Sequence, residues 1–126
     1  MHRYVKLIGI GFLIATPCNA HHFVGANFDQ DTVISIDGVI TEFKFVNPHT
    51  QIRVEVTAEN GASEQWLVEL NAKNQLIRSG HWTEDQFVPG QVVTMYGWKG
   101  YRERTIFLRR AVMADGTEIV PPGRAQ

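Results

Sequence analysis

The chain has 126 residues, with 12 Lys and Arg against 13 Asp and Glu, for a formal net charge of -1 at pH 7. That length suits one domain with a modest core. A charge so near zero supplies no bulk field to recruit nucleic acid, which is therefore not expected as a partner. A single cysteine, Cys18, allows no internal disulfide, so stability has to come from packing.

Residues 1–20, MHRYVKLIGIGFLIATPCNA, have the order of a secretory signal peptide: Arg3 and Lys6, an apolar run over 7–15, then Pro17 and small residues. A permanent span needs about 20 apolar residues, and this run is about half that, so no membrane span is expected after processing. Lipidation at Cys18 is the weaker alternative, because a proline directly precedes it. Cleavage after Ala20 makes His21 the first residue of a periplasmic or secreted chain. Removing Arg3 and Lys6 leaves ten Lys and Arg against thirteen Asp and Glu, a mature formal charge of -3.

Residues 32–45 alternate like a strand, but the phase changes. Ile34 and Ile36 hold even positions, whereas Val39, Phe43 and Phe45 hold odd ones. Gly38 lies at the slip, which predicts a bulge or bend that lets one long strand serve two sheets. NPHT at 47–50 reads as a turn, since the residue before proline avoids the helical region. A second strand follows, with Ile52, Val54 and Val56 alternating with Gln51, Arg53 and Glu55. Glu59, Asn60 and Gly61 then make a hairpin into a third strand, where Trp66, Val68 and Leu70 share a face.

Asn71 is expected to cap a short helix over 72–80, with Ala72 and Leu76 one turn apart and Gly80 as terminator. Residues 88–97 supply a turn and a fourth strand, and 104–113 a fifth. Asp115 and Gly116 turn the chain into a small sixth strand at 117–120. Residues 21–31 and the tail 121–126 look irregular, which places the domain at 21–120.

Three strands, a helix and two more strands, the first one long and bent, predict an all-β fold with one short helix. The architecture is a small OB-like Greek-key barrel of five main strands, with the helix between the third and fourth and a small C-terminal hairpin. An open α+β sheet would leave the phase slip unexplained.

The start HHF at 21–23, NPH at 47–49, WLVEL at 66–70, LIRSGHW before VPGQVV, and ADG at 114–116 resemble a family of small bacterial secreted proteins of unknown function. The resemblance covers nearly the whole mature chain and implies an OB-like barrel without implying an activity. Two departures stand out. Phe23 directly follows the histidine pair, where the family has a serine first, and His81 separates Gly80 from Trp82.

A free His21 would offer its α-amine and ring nitrogen as a chelating pair. One further imidazole, from His22 or His49, would complete a three-nitrogen set suited to copper. The plainer alternative is a solvated terminus, with His49 bonded within its own turn. Residues 97–104, GWKGYRER, set Trp98, Tyr101 and Arg102 among Lys99 and Arg104 on a loop that OB-folds use for ligands. Aromatic planes beside cations can stack on sugars or bases. The plainer alternative there is a hairpin tip whose aromatics cover the barrel end. Glu42 and Glu69 are expected to face solvent. The mature chain carries no nucleophile elbow, phosphate loop or zinc-protease helix, and no catalytic role is assigned. The expectation is a small binding module taking copper through His21, His22 and His49. The alternative is a metal-free module that holds a saccharide, small molecule or envelope protein at the barrel-end loops.

Overall fold

A single helical turn, α1 (Val24–Asn27), leads directly into β1 (Phe28–Lys44), a 17-residue strand too long to belong to one neighbour. The computed structural model describes residues 24–123. The expected signal segment, His21, His22 and residues 124–126 lie outside them. The chain continues through β2 (Thr50–Thr57), β3 (Ser63–Leu70), α2 (Lys73–Arg78), β4 (Val92–Gly100), β5 (Thr105–Met113) and β6 (Glu118–Ile119). Residues 21–31 were expected to be irregular, yet β1 begins at Phe28. The polar run Asp29, Gln30, Asp31 hides it, because the register with β4 shifts between Asp29 and Val33 and breaks the alternation there.

The strand order is β3-β2-β1-β4-β5-β6. An additional parallel pairing joins β3 to β5 through Leu67, Val68 and Glu69 against Thr105, Ile106 and Phe107. That pairing closes the curled sheet, giving the expected small OB-like barrel with a helix between its third and fourth strands. β1 pairs with β4 from Phe28 to Val39 and with β2 from Val39 to Lys44, so it changes partner at Val39.

Ile36 and Ile40 are buried, and Phe45 is buried beyond them, so the inward face does change parity within β1. The change falls at Thr41, where the β1–β2 register shifts between Ile40 and Glu42, and not at Gly38. Val39 misled the sequence reading because it is an outward residue, 38% exposed. Gly38 has a different role. A Cβ built on it would overlap the Glu55 carbonyl oxygen and stand 2.7 Å from Val54 Cγ1, so its bare backbone is what lets β2 close on β1.

Ile52, Val68, Leu70, Leu76, Met95 and Leu108 are fully buried at the centre. Each such side chain contributes about 1.5–3 kcal/mol of transfer free energy. One end of the barrel is plugged by Phe87, in ring contact with Phe43 at 5.4 Å and Trp82 at 6.2 Å. At the other end a smaller cluster joins Val24, Phe28 and Phe107, with Trp98 packed against it. Among the described residues no helix is long and apolar enough to cross a membrane.

Gly38→Val should lower unfolding free energy by about 1–3 kcal/mol, because the added carbons meet backbone that cannot yield without opening the β1–β2 pairing. Chemical denaturation measures this, and an unchanged midpoint would contradict the close-approach role.

Candidate functional site

The turn that carries His49 is built into the body of the protein. Asn47 Oδ1 accepts from the Asn74 amide at 3.2 Å, and the Lys73 amide donates to the Val46 carbonyl at 3.1 Å. The turn thus supplies acceptors to two of the free N–H groups at the start of α2. Asn71, expected as the cap, is not the capping residue. Ala72 holds that position, where its amide donates to Gln75 Oε1 at 3.3 Å. Gly80 terminates the helix region with φ 81°, as expected, and His81 follows it in the same left-handed region at φ 69°. His49 itself is half-buried just before Thr50, a fully buried residue whose hydroxyl donates to the Val46 carbonyl at 3.4 Å.

The β4–β5 loop lies at the opposite end of β1. Phe28 pairs with Gly100 there, whereas Lys44 pairs with Gln51 beside the His49 turn. The two turns that carry the candidate residues His49 and Trp98, Tyr101 and Arg102 are therefore separated by the length of β1. The Tyr101 amide donates to the Asn27 carbonyl at 2.9 Å, tying the loop to α1. Trp98 stacks beside Phe107 at 5.8 Å, with the Arg109 guanidinium 4.4 Å from its ring centre. Tyr101 is 68% exposed, and among the described residues no ring contact joins it to Trp98. Arg102 reaches back to Glu69 at 3.6 Å. The Glu69 side chain is only 19% exposed, so it packs under the loop and does not face open solvent. Glu42 is more open and pairs with Lys44 at 3.4 Å and Arg53 at 3.2 Å.

A cleft of about 260 Å³ opens between this loop and the outer face of β2 and β3. It is lined by Arg53, Gln65, Leu67, Arg102, Glu103, Arg104 and Thr105. Three arginines and one glutamate are among its lining, which is net positive although the chain is not, and each arginine also has a carboxylate beside it: Glu42 for Arg53, Glu69 for Arg102 and Glu103 for Arg104. Arg104 occupies the left-handed region at φ 53°, a conformation that costs a residue with a Cβ more than glycine. Its carbonyl accepts from the Leu67 amide at 2.9 Å, which fixes the loop against β3. Sequence reading found Arg102 but missed Arg53 and Arg104 as its companions, because strand pairing over a separation of some fifty residues brings them together. Nearby, the Thr32 hydroxyl and the Asp31 amide donate to the Asp29 carboxylate, and with Lys99 they hold its pKa below the usual carboxylate value. Among the described residues no cluster of three His, Cys, Asp or Glu is placed to hold a metal ion.

A family model described as a family of unknown function, DUF6152, matches residues 12–106. No curated protein matches the chain. Among solved structures it is similar to the mitochondrial single-stranded DNA binding protein Rim1 of S. cerevisiae, at 12% identity and a TM-score of 0.48. That match covers 66% of this chain and 93% of the other. The exclusion of nucleic acid, which rested on net charge alone, does not stand. Physically, net charge was the wrong quantity, because a near-neutral chain can still gather Arg53, Arg102 and Arg104 on one surface.

Asn47→Ala should cost about 1 kcal/mol through loss of the helix cap. Asn71→Ala should cost far less. Thermal melts of the two variants compare them directly, and equal losses would contradict the assignment of the cap to the β1–β2 turn.

Proposed function

The chain belongs to the DUF6152 family, whose function is unknown, so no activity comes with membership, and we propose that it is a small exported binding module that holds an anionic ligand in the Arg53, Arg102 and Arg104 cleft. The observation that carries this reading is that three arginines, one from β2 and two from the β4–β5 loop, line a single open cleft. Guanidinium forks match carboxylate and phosphate geometry. Two of the arginines have loose partners, Arg102 and Glu69 standing 3.6 Å apart and Arg104 and Glu103 3.9 Å, whereas Arg53 donates to Glu42 at 3.2 Å. Ion pairs near the surface contribute little and exchange for a better-placed anion. Uronate-bearing saccharides, phosphorylated small molecules and acidic envelope proteins all carry the required groups. Tyr101, next to Arg102 in the loop and exposed, offers its ring to a sugar face. Export rests on residues 1–20, whose order is that of a signal peptide.

The cleft reading is tested by titrating trigalacturonate into the mature protein. Arg102→Ala combined with Arg104→Ala should weaken binding by about tenfold or more, since a hydrogen bond to a charged group contributes about 1.5–3 kcal/mol. The melting temperature should hold, because the Arg102 side chain is mostly exposed and that of Arg104 half exposed, and the Leu67 amide bonds the Arg104 backbone, which alanine retains. Unchanged affinity would contradict the site.

Copper at the processed N-terminus is a second proposal. It is favoured by the anchoring of Val24, which is 5% exposed in the Phe28 and Phe107 cluster and fixes the chain three residues after His21. His49 lies past the far end of β1, so the nitrogen set is drawn from the His21 amine, its ring and the His22 ring. A chain beginning at His21 should bind one Cu(II), more tightly than a chain extended by one residue, and binding should fade below about pH 6 as protons compete. His49→Ala should leave that affinity unchanged. Calorimetry with electron paramagnetic resonance measures these effects, and equal affinity for processed and extended chains would contradict copper chelation.

A further inference from the structure

We propose that the outer edge of β3 at residues 63–65 takes up an extended acidic peptide as an added strand, with the peptide's carboxylates held by Arg53, Arg102 and Arg104. This rests on the cleft reading above and narrows its ligand from anions in general to one kind of partner.

The backbone pattern of β3 carries the proposal. In an antiparallel pair, successive residues point their N–H and C=O groups alternately toward the partner strand and away from it. The β2–β3 register runs without a shift from Thr50 and Leu70 to Thr57 and Ser63. The Leu67 amide donates to Arg104, so Leu67 points away from β2, and by the same alternation Gln65 and Ser63 also point away. Beyond Leu67 the β5 seam ends, its first pair being Leu67 with Thr105. From Arg104 backwards the chain turns off through Glu103 and Arg102 toward Gly100 instead of continuing beside β3. Among the described residues, Ser63 and Gln65 have no strand neighbour on that side, and Gln65 lines the same cleft as the three arginines.

Open edges of this kind pair with added strands, and the fold has two means of blunting this one: it is short, and cations flank it. Cations repel another basic edge and attract an acidic one. Backbone pairing supplies general affinity, while side chains at alternate positions on the added strand select for sequence. A strand with acidic residues at every second position turns all of them to one face, toward Arg102 and Arg104, whose pairs with Glu69 and Glu103 are long, and toward Arg53, which exchanges its contact with Glu42. The Gln65 side chain does not obstruct the edge, since its amide nitrogen donates to Glu55 Oε2 and its oxygen accepts from the Thr41 hydroxyl, both at 3.3 Å and both across the sheet face.

The test uses the mature chain and a labelled peptide, acetyl-Glu-Val-Glu-Val-Glu-amide, followed by fluorescence anisotropy. Three comparisons accompany it: the same peptide N-methylated on alternate residues, its lysine counterpart, and trigalacturonate as competitor. The peptide should bind, and the N-methylated and lysine forms should be weaker by about tenfold or more, a loss that one or two missing hydrogen bonds produces. Ser63→Pro, outside the cleft lining, removes one edge donor without touching the β2 ladder, so it should weaken the peptide similarly and leave trigalacturonate unchanged. Equal binding of the methylated and unmethylated peptides would overturn strand addition, and this comparison holds even if Ser63→Pro does not fold. Arg-dependent binding of trigalacturonate with none of the peptide would overturn the peptide and leave the cleft reading standing. Binding of neither would overturn both.

Discussion

Three rungs of parallel pairing, Leu67, Val68 and Glu69 against Thr105, Ile106 and Phe107, turn a curled sheet into a closed barrel. Much of the surface chemistry follows from how short that seam is. Parallel closure lets β5 leave β3 after three residues, so the chain before Thr105 swings away as a loop that carries Arg102 and Arg104. The Leu67 amide bonded to the Arg104 carbonyl pins the loop at its base, and Arg102 over the largely covered Glu69 steadies its tip. A longer seam would have filled the cleft with strand and paired the β3 edge. Closure, cleft and open edge are consequences of one stretch of register.

The length of β1 governs what can act together. Its 17 residues pair with β4 along the first part and β2 along the last, with Gly38 admitting the Glu55 backbone and the irregularity at Thr41 resetting the inward face. The N-terminal turn and the β4–β5 loop therefore share one end, and the His49 turn with α2 forms the other. The arginine cleft lies toward the first end, while the second end is occupied with holding the helix. Trp98 belongs with the N-terminal cluster, its ring already engaged by Phe107 and Arg109. That leaves Tyr101 as the exposed aromatic of the loop.

What the sequence made legible was local. Alternation at Ile52, Val54, Val68 and Leu70 has a period of two that survives any tertiary arrangement, and Gly80 and Gly116 occupy the left-handed positions that turns demand. The existence of a phase slip in β1 was legible too, but its location was not, because outward Val39 is as apolar as an inward residue. Asn47 was read as a turn residue. Its service as a helix cap depends on Asn74, 27 positions away, which no local pattern contains. The cleft was hidden for the same reason: Arg53 and Arg104 are brought side by side by strand pairing alone. Bulk charge averaged that cluster away and led to an exclusion of nucleic acid that does not stand.

The central claim is that the β3 edge closes at Leu67 and stands open at Gln65. Residue-resolved amide hydrogen exchange of the mature protein measures this most directly, because the two amides lie two positions apart on one strand and face the same way. The amide of Leu67, bonded to Arg104, should exchange with the slow core, and that of Gln65 should exchange orders of magnitude faster. Comparable protection at both positions would mean that β3 is paired along its whole length, and would contradict the open edge on which the binding surface depends.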